Sequence, residues 1–246
     1  MNKYHKIISI VIAILYVVLM QIFSYPQPVF RFLLPIFLLF LGLVSLYNYL
    51  YLKKLNRYNP WVLIRPALVL AAMAGIFFIV PSEFFRSLAL ILSVVVIFFS
   101  ESFLENFSEQ VLTNEILFIL FGLLLTLSAI SQFFPGYKMV TLLGVFAAVA
   151  LSARCFFEFV PATQNGKTLS GIILGLFGAQ FFWALTLLPF HFSVIGIILF
   201  NLIYFFFIMN YYHIFNILSF KRLQFHLLLI MAASGIVLVS TPWRII

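Results

Sequence analysis

Long apolar runs dominate this chain, and three of them end on prolines set 54 residues apart: Pro81, Pro135 and Pro189. One period earlier Pro26 and Pro28 flank Gln27, and one period later Trp243 follows Pro242. About 20 apolar residues is the length that crosses a bilayer as a helix, and proline suits a turn better than a helix interior. The chain therefore reads as successive helical hairpins of nearly equal length, with each periodic proline in a tight turn on one side of a membrane. Two such helices and two short connections add up to about this period, so it arises either from bilayer thickness or from internal duplication.

Composition supports the same solvent. The chain is 65% hydrophobic and 8% charged, with a mean hydropathy of +1.20, whereas soluble domains carry about 25% charged residues. The apolar runs occupy the whole length, so residues 1–246 are expected to form a single polytopic transmembrane domain with no soluble domain. The net charge of +8 is scattered through short connections, which is an orientation signal and not a nucleic-acid footprint. With Cys155 as the one cysteine, an internal disulfide and a cysteine metal cluster are excluded.

Nine spans follow from hydropathy: Ile7 to Phe23, Phe32 to Leu52, Val62 to Val80, Phe84 to Ser100, Ile116 to Phe134, Met139 to Phe159, Leu169 to Leu188, Phe192 to Tyr212, and Leu223 to Ser240. Each must be helical, because a helix satisfies its own backbone in lipid, and no alternating segments of about ten residues suggest a β-barrel. The expected class is thus an all-α integral membrane protein of about nine transmembrane helices. The first span follows Lys3 and Lys6 like a signal peptide, but it is long for one. Phe23-Ser24-Tyr25-Pro26-Gln27 also offers no small-x-small cleavage site, so it reads as a retained helix.

With the amino terminus inside, the inner side holds Lys3, Lys6, Lys53, Lys54, Arg57, Arg65, Arg154, Lys167, Lys221 and Arg222, ten basic residues against four outside: Arg31, Arg86, Lys138 and Arg244. That bias predicts a cytoplasmic membrane location with the amino terminus in and the carboxy terminus out. Tyr47, Tyr49, Tyr51, Tyr58 and Trp61 then suit the inner interface, and Tyr25, Tyr137 and Trp243 the outer one.

Polar residues in or beside the spans are the candidate site, since ionisable groups in a bilayer are costly and retained for partners or tasks. Glu101, Glu105 and Glu109 recur every fourth residue, opposite Phe103, Phe107 and Val111, and read as a solvated, acidic amphipathic extension of the fourth helix at the inner surface. Arg154 and Glu158 are spaced i, i+4 for an intrahelical ion pair near the inner end of the sixth helix. Glu101, Glu105 and Glu158 also stand at helix C-termini, where the macrodipole disfavours a negative charge and a bound cation or proton would relieve it. Glu115, after Thr113-Asn114, reads instead as a well-placed residue at a helix N-terminus. At mid-depth Gln180 and Asn201 are expected to pair across neighbouring helices or to line a wet site walled by Trp183. Offsets near 54 link Glu105, Glu158 and His213, and predict one polar vestibule of Glu101, Glu105, Arg154, Glu158, Asn210 and His213. Glycine and small-residue faces, Gly171, Gly175 and Gly178 on the seventh helix and Gly144, Ala148 and Ser152 on the sixth, predict packing seams.

Metal spacing, a phosphate loop, a dinucleotide fingerprint and a nucleophile elbow are all missing from the sequence, which contains no Asp. No catalytic, cofactor or metal-binding residue is assigned, and an intramembrane enzyme lacks a nucleophile and base. The leading expectation is a small-solute or ion transporter coupled to a cation. The alternative is a non-catalytic scaffold docking a protein partner at the cytoplasmic face through residues 101–112. Lipid is a partner in both readings, and nucleic acid in neither.

Overall fold

The computed structural model describes residues 3–24, 30–55, 60–80, 82–102, 109–159, 163–214 and 219–240. Among these, 94% are helical and none is in a strand. Nine α-helices follow one another: α1 Lys3–Ser24, α2 Phe30–Lys54, α3 Pro60–Ile79, α4 Glu83–Ser102, α5 Glu109–Phe133, α6 Lys138–Phe156, α7 Gln164–Thr186, α8 Phe192–Ile214 and α9 Phe220–Ser240. Eight are long and apolar enough to cross a membrane, and α3 adds an apolar stretch at Ile64–Ile79. All nine spans expected from hydropathy are therefore present as helices. Most run a few residues further at one or both ends, because polar and basic residues such as Lys3, Lys54 and Gln164 continue the helix past the apolar stretch.

Two boundaries differ in kind. The α4 helix closes at Ser102, and Glu109 opens α5, so the three glutamates do not share one described helix. Glu115 consequently lies six residues inside α5 and is not at its N-terminus. Prolines also occur within helices, Pro35 in α2 and Pro66 in α3, each in the second turn, where it removes one bond of the hydrogen-bond ladder. Of the periodic prolines, Pro81 lies outside the described residues, whereas Pro135 opens a short 3-10 turn before α6 and Pro189 sits between α7 and α8.

The chain divides into two compact units, Met1–Glu115 and Ile116–Ile246. In unit 1, α4 packs against α1 and α3, and α2 against α3. The buried stripe of α1 is His5, Ser9, Ile12, Ala13, Tyr16 and Met20, spaced by three and four residues as one helical face requires. The α4 helix answers with Leu90, Ser93, Ile97, Ser100 and Glu101. The ionisable residues His5 and Glu101 lie at one end of these stripes, and the rest is apolar apart from Tyr16 and a few serines.

Unit 2 is organised by the α6–α7 seam. A Cβ placed on Gly175 would come within 2.9 Å of both the Ala150 Cβ and the Phe146 carbonyl oxygen, and one on Gly171 within 3.0 Å of the Ala150 carbonyl oxygen. Glycine at these positions is what lets the two backbones approach, as the small-residue pattern predicts. The α8 helix packs on α7 and α9, and α9 buries just Ile230 among its described side chains. Large exposed apolar residues such as Leu39, Leu43, Leu143, Leu228 and Val239 cover the outer faces of the helices, the surface that lipid is suited to cover.

Candidate functional site

Unit 1 collects its polar groups where α1 and α3 begin and α2 and α4 end. His5 is the third residue of α1, Asn48 lies near the end of α2, Arg65 is the sixth residue of α3, and Glu101 is the penultimate residue of α4. All four are buried, each at 1% exposure or less. Their alternating chain direction brings four sequence-distant residues to one level of the bundle.

The centre of the cluster is Glu101. Its Oε1 accepts from Asn48 Nδ2 at 3.2 Å, while Oε2 is buried and accepts no hydrogen bond. The Asn48 Oδ1 beside it is likewise buried without a donor. Arg65 Nη2 donates to the Ser100 carbonyl oxygen at 2.6 Å, capping the C-terminus of α4, and its Nε stands 3.4 Å from Glu115 Oε1. The guanidinium thus serves the negative helix end and one carboxylate, and acts on Glu101 through its field.

His5 closes the other side. Its Nε2 is 2.9 Å from the Glu101 carbonyl oxygen, which can only accept, so Nε2 carries a proton. Its Nδ1 lies 2.9 Å from the Tyr47 hydroxyl, which can donate to a neutral ring or accept from a charged one. The ring stacks on Tyr51 with centroids 4.0 Å apart and on Tyr47 at 5.9 Å. Tyr47 and Tyr51, expected in an interfacial belt, therefore line the cluster. Two carboxylates face one guanidinium and an imidazole able to hold a second proton. Three buried oxygens in this group, Glu101 Oε2, Asn48 Oδ1 and Glu115 Oε1, accept no hydrogen bond, and the last of them stands against Arg65 as an ion pair.

Glu101 corrects the expectation of a solvated acidic face, because the phase of α4 turns it into the bundle along the stripe of Ser93 and Ile97. Glu105 lies outside the described residues. Glu115 is an ion-pair partner of Arg65 and has no cap role, since the helix starts earlier than its polar Thr113-Asn114 lead suggests.

Unit 2 builds a second charged cluster at the end of α6 and the start of α7. Arg154 and Glu158 form the expected i, i+4 ion pair. The same guanidinium donates to Gln164 Oε1, and Lys167 Nζ donates to the Glu158 carbonyl oxygen at 2.8 Å. Thr163 caps α7 by accepting from the Gly166 amide. Next to this network the contact between α6 and α8 is aromatic: Phe156 lies edge-on to Phe207 and Tyr211.

The remaining predicted residues do not converge. Asn201 donates to Ser234 of α9 at 3.0 Å, while Gln180 is exposed on α7, so the expected amide pair does not form. Trp183 is exposed as well, and Asn210 donates back to the Phe206 carbonyl oxygen of its own helix. His213 is exposed near the end of α8. Within unit 2 the residues brought together are Arg154 and Glu158. His226, which received no role from sequence, ties α9 to α8 through the hydroxyls of Tyr212 at 2.9 Å and Tyr204 at 3.3 Å.

Sequence reasoning missed His5, Asn48 and Arg65 as site residues. A signal existed for Arg65, which falls inside an apolar span and has been counted only as an orientation charge. Among the described residues no group of three His, Cys, Asp or Glu side chains is placed to hold a metal ion. Fold and composition together define an all-α, multi-pass membrane protein. No protein-family model, curated protein sequence or solved structure matches the chain.

Proposed function

We propose that the chain is a non-enzymatic transporter of a small solute or ion in a cytoplasmic membrane, coupled to the uptake and release of a proton or small cation at Glu101. The carrying observation is a carboxylate at 1% exposure, with one oxygen unmatched, at the C-terminal end of a helix. A buried carboxylate in that setting is costly when charged and is relieved by a proton or cation. Arg65 donates to the helix end through Nη2 and stands against Glu115 through Nε, and it makes no hydrogen bond to the unmatched Glu101 oxygen. Glu158 is the weaker candidate for coupling, because Arg154 pairs with it and Gln164 and Lys167 extend the network. The scaffold reading gains no support from residues 101 and 102, both of which are buried inside unit 1.

The test uses proteoliposomes holding a trapped pH-sensitive dye and challenged with amino acids, sugars and monovalent salts. Wild-type protein is expected to give a solute-dependent pH change that Glu101→Gln abolishes and Glu158→Gln retains. Identical traces from wild type and a folded Glu101→Gln variant would rule out Glu101 as the coupling group. A wild type inert to every solute removes the transport reading. The proposed orientation, amino terminus in and carboxy terminus out, rests on the basic-residue bias. A reporter fused after Ile246 that works only in the cytoplasm overturns it.

A further inference from the structure

The two described periodic prolines meet in one place. Pro135, in the turn before α6, and Pro189, in the turn before α8, both line a cavity of about 810 Å³ at one end of unit 2. Gln132 of α5 joins the two turns: its Oε1 accepts from the Phe192 amide at 2.7 Å and its Nε2 donates to the Phe190 carbonyl oxygen at 3.5 Å. The α7–α8 connection is thereby held to α5, so the cavity is a built feature.

Its chemistry is one-signed. Lys138 and His191 are exposed lining residues, and Ser128 and Ser131 are buried ones. The His191 Nδ1 is 2.8 Å from the Ser193 hydroxyl, which orients the ring. Among the described residues no carboxylate lines the cavity. The nearest acid along α6 is Glu158, the one acidic residue from position 116 onward, and it lies twenty residues from Lys138, or about 30 Å of helix. The Ser128 hydroxyl donates to the Leu124 carbonyl oxygen of its own helix, so an anion entering here meets the Lys138 cation, the ring N–H capacity of His191 and the Ser131 hydroxyl, with no acidic side chain among the described lining residues. Apolar residues Leu188, Val194, Ile195 and Val237 complete the lining, so an apolar stem fits beside the charged head.

We propose that this cavity binds a phosphate group, held by Lys138 and His191 beside the Ser131 hydroxyl, with an apolar stem against the aliphatic wall. The site does not depend on the transport reading. Phosphate on a lipid and free phosphate share this chemistry, and the assay separates them. Purified protein is titrated with phosphatidic acid and with diacylglycerol, which differ by the phosphate alone, and then with inorganic phosphate as competitor. Phosphatidic acid is expected to bind at least about tenfold more tightly than diacylglycerol, the scale of one charge-assisted contact. Lys138→Gln should remove that preference and His191→Gln reduce it, whereas Lys221→Gln, an exposed lysine of unit 2 outside the cavity, should keep it. Inorganic phosphate that binds in a Lys138-dependent way, without any lipid preference, assigns the site to a soluble phosphate. Equal binding of both lipids with no effect of inorganic phosphate overturns the proposal. So does a phosphatidic acid preference that survives Lys138→Gln, because that reports general surface charge.

Discussion

The charged cluster of unit 1 and that of unit 2 contain the same kinds of side chain and differ in how completely the central carboxylate is matched. In unit 2, Glu158 has Arg154, Arg154 also has Gln164, and Lys167 caps the carbonyl beside them. In unit 1, Glu101 shares a single bond with Asn48, and one oxygen of each lies buried without a donor. A matched carboxylate fixes structure, whereas one with a buried oxygen unmatched holds a standing electrostatic cost that a proton or cation can lower. The difference separates a clamp between two helices from a candidate exchange site.

The comparison breaks most easily at its structural half. Arg154→Met removes a guanidinium at 3% exposure and leaves Glu158 and Gln164 without their donor. The expected loss is about 3–5 kcal/mol, and the double variant Arg154→Met/Glu158→Met should recover part of it, since removing both partners is milder than stranding one. Thermal unfolding in nanodiscs measures both. A single variant as stable as wild type shows that the cluster is not a clamp.

Carboxylate-to-amide exchange sharpens the contrast, because the sign should differ between the units. Glu158→Gln leaves Arg154 its Gln164 acceptor but takes away the opposite charge, and is expected to cost about 1–3 kcal/mol. Glu101→Gln removes a buried charge and supplies an N–H₂ next to the unmatched Asn48 Oδ1, so stability should hold or rise by about 1 kcal/mol. Equal destabilisation by both changes would mean that Glu101 is as firmly matched as Glu158, and the distinction between clamp and exchange site would collapse.

What could be read from the chain divides along the same line. Span positions came through because hydropathy is summed over about 20 residues and tolerates local noise. The Arg154–Glu158 pair came through because its partners are four residues apart on one helix. The unit 1 cluster did not, since His5, Asn48, Arg65 and Glu101 are brought together by the packing of four helices. Glu101 had a legible phase: with Ser93 and Ile97 it continues a stripe at helical spacing, and that stripe proves to be the buried one. Every-fourth-residue glutamates suggested a shared solvated face instead, whereas Glu101 is buried. Glu115 was misplaced by the start of α5, which the polar residues before it mark too late.

The smallest expected effect tests the middle of unit 2, where local reasoning about polarity at equal depth expected Gln180 to meet Asn201. The structure gives Asn201 to Ser234, at 3.0 Å across the α8–α9 interface, and leaves Gln180 exposed on α7. Interhelical bonds of this kind average about 0.6 kcal/mol in a membrane, because the separated helices find other partners. Asn201→Leu should therefore cost about 0.6 kcal/mol, and Ser234→Ala about the same. The two together should cost little more than either alone, since they delete one bond. Gln180→Leu should be neutral or slightly stabilising, because it exchanges an exposed amide for an apolar side chain on a face otherwise rich in Leu176, Phe177 and Trp183. A double-mutant cycle that couples Asn201 to Gln180, and not to Ser234, would restore the mid-depth amide pair and with it the wet site that the exposed Gln180 and Trp183 now argue against.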